Sequence, residues 1–265
     1  AARLAAETAA TGARSRAYSA LAEVYYLTAE LLIQLRAVDL AYGALIGALD
    51  AAETAGDPII AALTVKGSTW LLIREGRLLE AERLAVTTAD RIEPRMSRAQ
   101  PAELAVWGWA LACAAAAAAR DQRPDDAREM LDSAAAAGVR LGDRPMPGDH
   151  LMILGGLRAG RVDMMRAETA AVTGRPDEVL RLSERVRVAA TAPTSQRRHL
   201  LDVAWAHVQL GQYVEATSVL TGLSRQAPAW LRQQRYARDI VGDLATARRR
   251  AMGRELADLA ALVGY

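Results

Sequence analysis

The chain has 265 residues, of which 52% are hydrophobic and 24% charged, and its formal net charge is +2. That apolar content excludes a disordered chain, and the near balance of charge excludes a nucleic-acid binder acting through net charge alone. A single cysteine, Cys113, excludes an intramolecular disulfide and fits a reducing cytosol.

The opening AARLAAETAATGARSR lacks the basic flank and apolar core of a secretory signal, and it begins without methionine, as a fragment or trimmed chain would. Abundant Ala and Leu, nine prolines and no runs of period two point to helix throughout. In chain order the pattern predicts helices at 17–35 and 38–55, then 58–75 and 77–93, the latter stopped by Pro94. A third pair follows at 101–120 and 124–137. The stretch GVRLGDRPMPGDH (138–150), rich in Gly and Pro, reads as a loop that interrupts the series. The fourth and fifth pairs fall at 156–173 with 176–188, and 196–210 with 213–226. Closing helices follow at 228–250 and 254–265. The most apolar segment, LACAAAAAA (111–119), is short and only weakly hydrophobic for a membrane span.

The pairs share a phrase: a helix break, then an acidic residue, then a small or aliphatic one. It occurs as RAVDLA (36–41), GRLLEA (76–81), RPDDA (123–127), GRPDEV (174–179) and GQYVEA (211–216). A glycine can end one helix in the left-handed region, the acid favours the first turn of the next, and the small residue lets the two approach. The acids, Asp39, Glu80, Asp126, Glu178 and Glu215, recur at the interval of a helix–turn–helix repeat. The expected fold is all-α: a right-handed α-solenoid of tetratricopeptide-like pairs as a single domain over 1–265, with pairs near 17–55, 58–93, 101–137, 156–188 and 196–226 and capping helices in 228–265.

The segments GRLLEAERLA, TGRPDEVLRLSERV and, most specifically, RRHLLDVAWAHVQLGQYVEATSVLTGLSRQAPAWLRQQRYARDIV resemble the C-terminal sensor region of actinobacterial Cro/repressor-type helix-turn-helix regulators. The resemblance covers most of the chain. It implies a cytoplasmic module of a transcription regulator that senses a peptide or small-molecule effector and holds a homodimer together. DNA contact would come only through an N-terminal domain that is not visible here, since the stretch before residue 17 has no room for one. The other expectation is a tetratricopeptide scaffold that binds another protein and has no part in DNA binding.

No enzyme, cofactor or metal is expected. His150, His199 and His207 form no ligand motif. Ser195, His199 and Asp202 fall at i, i+4 and i+7 of one helix, a spacing common by chance and without an oxyanion site. Gly155-Gly156 is not a phosphate loop, Cys113 reads as a small buried hydrophobe, and Arg248–Arg250 as a solvated helix end.

The repeat supplies a frame for a binding groove. In tetratricopeptide pairs the first helices line the concave face. With the small residue of each phrase set at the twentieth repeat position, the groove side chains are Tyr26 and Glu30 from the first pair. Lys66, Trp70 and Arg74 come from the second, and Trp109 and Arg120 from the third. Arg161 and Glu168 follow from the fourth, and Arg198, Trp205 and Gln209 from the fifth. Alanines at 112, 116 and 119 either leave room between the tryptophans, where the flanking cations suit a carboxylate, or let the helices pack tightly with the tryptophans in the core. The apolar spacing of Leu256, Leu259, Ala260 and Val263 serves either a dimer contact or a cap within one chain.

Overall fold

The recurring phrase becomes one backbone geometry at each of its five occurrences, and the same hydrogen bonds also form at Gly56, outside the phrase. In the computed structural model, which describes residues 11–142, 157, 159–186, 193–247 and 253–265, the left-handed position of the five turns falls at Arg36, Gly76, Gln122, Gly174 and Gly211, with φ between 60° and 78°. In each, that residue's N–H donates to the carbonyl three residues back, and the next N–H donates to the carbonyl five residues back. At Gly76 these bonds are Gly76 to Ile73, 3.1 Å, and Arg77 to Leu72, 3.0 Å. The orphan carbonyls of the first helix are thereby satisfied. The residue after the left-handed one then accepts the first hydrogen bond of the next helix. Its donor is always the small residue of the phrase: Ala41, Ala81, Ala127, Val179 or Ala216. All five are fully buried, because a larger side chain there would push the two helices apart.

All regular structure among the described residues is helical, in thirteen segments. These are α1 Thr11–Gln34, α2 Val38–Ala55, α3 Pro58–Arg74, α4 Leu78–Arg91, α5 Pro101–Arg120, α6 Pro124–Leu141, α7 Ala159–Val172, α8 Pro176–Ser183, α9 Pro193–Gln209, α10 Tyr213–Gln226, α11 Pro228–Arg232, α12 Arg235–Ala247 and α13 Arg254–Val263. Proline opens six of them, where its missing N–H costs nothing. Asp57 caps α3 by accepting from the N–H groups of Ile59 and Ile60 at 3.2 and 3.1 Å. A capping box joins Gln100 and Glu103 at the start of α5.

The chain divides into two compact units, Ala1–Ala159 and Gly160–Tyr265. In the first, α1 and α2 run antiparallel: the Ser15 hydroxyl donates to the Ala55 carbonyl at 2.8 Å, while Tyr25 lies over Gly47. Helix α3 packs on both, and α5 packs on α3, α4 and α6. Gly67 permits the close approach of α3, since a Cβ there would stand 2.8 Å from Leu45. Leu157 is fully buried and lies against Gly108 of α5. In the second unit α7, α8 and α9 share an alanine-rich core around Val179. Helix α9 packs on α10 and α12, and α10 on α13. Leu201, Leu220, Ile240, Leu244 and Leu256 belong to one buried cluster.

Several boundaries differ from the sequence pattern. Helix α1 starts at Thr11, before the expected residue 17. Helix α6 runs through Gly138 to Leu141, because Gly138 is buried in the helix and needs no left-handed turn. Helix α8 stops at Ser183 and not at residue 188. The closing stretch 228–250 is split between α11 and α12. Helix α5 is, by length and composition, apolar enough to cross a membrane, although the segment 111–119 alone is not; 78% of its most apolar window is buried within the fold. Residues 143–150, His150, Gly155, Gly156 and Arg248–Arg250 lie outside the described residues.

Candidate functional site

The expected groove residues are shared between the units, and each set can be followed by itself. In the first unit, seven of them sit on α1, α3 and α5, the first helices of three successive hairpins. Lys66 is the centre. Its ammonium lies 5.4 Å from the Tyr26 ring centroid and 4.8 Å from that of Trp109, and 3.8 Å from Glu30 Oε1. The Tyr26 hydroxyl donates to the same Glu30 oxygen at 3.0 Å. One carboxylate thus serves both a cation and a phenol, while two rings hold the ammonium by cation–π attraction. Burial, and then the Glu30 charge, push the Tyr26 phenol well above its ordinary range, so Tyr26 stays a neutral phenol that donates to Glu30.

The remaining three residues extend this cluster along the same helices. Arg120 stacks over Trp70 at 5.8 Å and donates to the Ala116 carbonyl at 2.9 Å. Arg74 donates to the Ile33 carbonyl at 2.7 Å, joining α3 to the end of α1. Burial sorts the group into walls and surface. Tyr26 and Trp109 are buried, whereas Trp70, Arg120 and Glu30 are half-buried and Arg74 is exposed. Ala112, Ala116 and Ala119 are buried as well. They pack helices together, the second of the two roles that the sequence pattern left open.

The second unit holds a different cluster, on α7, α9 and α12. Glu168 and Asp202 are buried carboxylates. Arg198 approaches Asp202 Oδ1 at 3.9 Å and stacks on Tyr236 at 4.6 Å. Burial opposes the Arg198 charge, but Asp202, Glu168 and Tyr236 outweigh it, and the guanidinium is held above its usual value. Burial and the Asp202 charge push the Tyr236 phenol far up. His199 is buried beside this group, and its Nδ1 has no hydrogen-bond partner among the described residues. Burial, followed by the Arg161 charge, lowers its pKa to about 4, with Glu168 opposing. Trp205 packs between two hydrophobic clusters, and Gln209 is exposed.

Asp202 and Tyr236 were missed by the repeat frame. Asp202 has a readable signal, four residues after Arg198 on one helix; Tyr236 lies on a closing helix outside the five phrases. Asp202 pairs with Arg198, and His207 Nδ1 lies 2.6 Å from Gln212 Oε1. Neither a Ser–His–Asp relay nor a shared histidine metal site is assembled, and no group of metal-ligating side chains occurs among the described residues.

No protein-family model, curated protein or solved structure compared with the chain matches it.

Proposed function

We propose that this chain is a sensor module of a bacterial transcription regulator: a right-handed solenoid of tetratricopeptide-like pairs whose first helices bind a peptide or small-molecule effector. One observation carries the reading. Side chains singled out by a repeat frame from three separate hairpins meet around one lysine in the first unit. A frame with the wrong phase would scatter them over different faces.

The accessible members give the site its chemistry. Trp70 offers apolar area with few rotamers to fix, and Arg74 and Arg120 border it. An effector with an anionic end would lay its apolar part on Trp70 and its carboxylate by these guanidinium groups. It could draw Arg120 off the Trp70 ring and would leave the walls, Tyr26 and Trp109, in place. DNA binding would require a further domain, joined to this one in a longer chain.

The test is a thermal-shift screen with short peptides bearing free C-terminal carboxylates, followed by titration of Trp70→Ala. A ligand that binds only the folded state raises its melting temperature. Truncating Trp70 at a real hot spot costs roughly 2 kcal/mol of binding or more and leaves the helical dichroism intact. Unfolding of Trp70→Ala with unchanged affinity in the folded fraction would sink the groove.

A further inference from the structure

We infer that His199, at the buried junction of α7 and α9, is the receiving group of a binding site for a small carboxylic acid, which enters together with one proton. The site lies in the second unit, uses no residue of the first, and stands or falls separately from the groove around Lys66.

The charged cluster of the second unit has a finished half and an unfinished half. On the side of α12 every group is engaged. Arg198 lies 3.9 Å from Asp202 Oδ1 and 4.6 Å from the Tyr236 ring centroid, and the Tyr236 phenol hydrogen-bonds with Asp202. Glu168 acts electrostatically on Arg198, Tyr236 and His199 alike, and so joins the two halves. On the side of α7 the cluster ends at His199. The residue is 5% exposed, and its Nδ1 has no hydrogen-bond partner among the described residues. Native proteins rarely leave a buried polar atom unsatisfied.

The sequence places the ring at a polar stretch of an otherwise apolar junction. Ala206 lies seven residues beyond His199, on the same face of α9. It belongs to one buried cluster with Ala167, Ala170 and Ala171 of α7. Two turns back, the charges that act on the ring come from Arg161 and Glu168, themselves seven residues and two turns apart on α7.

Two features select a carboxylic acid. The first is the sign of the neighbouring charge. Of the two charges on the ring, the larger is that of Arg161. An atom set between a guanidinium and the imidazole must accept from the guanidinium, which favours an oxygen anion and excludes an ammonium. The second is charge balance. With His199 neutral, the cations of Arg161 and Arg198 match the carboxylates of Glu168 and Asp202. A further anion would stand uncompensated in a buried place, unless a proton came with it. An imidazole is the group suited to take that proton near neutral pH. The acid's O–H proton passes to Nδ1, which becomes a donor to the carboxylate, and no other bond changes. Without the ligand, burial and the Arg161 charge keep the ring neutral.

Calorimetric titration of the intact chain with sodium acetate tests this, in two buffers of different ionisation heat. Acetate should bind with uptake of one proton, and its apparent Kd should rise about tenfold per pH unit from weakly acid to neutral pH. Ring-nitrogen NMR should show the His199 imidazole pass from neutral to protonated as acetate is added. His199→Leu should abolish binding with the helical dichroism retained, and His207→Leu should leave it unchanged. If His199→Leu fails to fold, the ring signal of the wild type decides. A His199 ring that stays neutral up to tens of millimolar acetate would overturn the proposal, its nitrogen then being left to a water. So would binding without proton uptake, or binding that survives in His199→Leu.

Discussion

The first and last hairpins of the chain solve the same problem in opposite ways. Each ends a series of packed helix pairs, and each has one face with no following hairpin among the described residues. In the last, α12–α13, the apolar residues Ile240, Val241, Leu244, Leu256, Leu259 and Val263 all point into the second unit, and the outer positions are filled by Arg235, Asp239, Asp243, Arg254, Glu255 and Asp258. That is the polar outer face a terminal repeat needs for solubility. The C-terminal segment is therefore an internal cap, and its apolar spacing is not what a second copy would meet. In the first hairpin, α1–α2, the exposed positions include Val24, Leu27, Leu31, Leu40 and Ile46 beside Asp39, Asp50 and Glu53. The last hairpin turns its large apolar residues inward, and the first leaves several of them exposed.

The largest expected effect breaks the last hairpin. Leu256→Asp places a carboxylate in a fully packed cluster and should cost about 3–5 kcal/mol, read as a lowered urea midpoint. Leu31→Asp on the first hairpin should cost no more than about 0.5 kcal/mol. Comparable losses at the two positions would erase the distinction.

Acid should separate the units. His199 has a folded pKa of about 4 against roughly 6.5 unfolded. The unfolded chain takes up the proton first, so stability is complete above about pH 6.5 and falls as the pH drops towards 4. The loss approaches 2–3 kcal/mol by this linkage. The described part of the first unit contains no histidine. Hydrogen exchange should therefore show the second unit opening first on acidification, and His199→Gln should flatten the difference.

The smallest effect is a gain. Arg36 holds φ of 60° in the turn of the first hairpin, where a side chain costs about 1 kcal/mol or more. Arg36→Gly should stabilise the first unit by about 0.5 kcal/mol, the net of relieved strain and added unfolded-state entropy. Calorimetry would detect it as a rise of a few degrees in the transition of the first unit, and a drop would show that Arg36 makes a contact worth more than its strain.

Much of this was legible in the residues. The acidic–small phrase located five left-handed turns, since a buried small residue at a fixed distance from a left-handed residue is a steric requirement, but it passed over the turn at Gly56, which has the same bonds. Two of those turns, at Arg36 and Gln122, use no glycine; the phrase betrayed them where the turn residue did not. The frame also brought Lys66, Trp70 and Arg120 together with Tyr26, Glu30 and Trp109. It did not distinguish walls from surface, because burial of Tyr26 and Trp109 depends on what packs over them from neighbouring hairpins. The alanines of α5 stayed ambiguous for the same reason: small residues signal either room or close packing, and here they pack. The Val24–Leu27–Leu31 spacing was visible too, but a second apolar stripe on a helix looks like more core until the neighbours are known.

Lys66 has one further consequence. It is the only lysine in the chain, its side chain is 10% exposed, and its amine is held between two rings and a carboxylate. Against an acylating reagent the described protein thus presents a single side-chain amine, and that one reacts only when α3 draws away from α1 and α5. The rate at which Lys66 is acylated is a clock for that local opening, built into the chain without any label. An effector seated over Trp70 should slow the clock, and one that pulls Glu30 from the ammonium should quicken it.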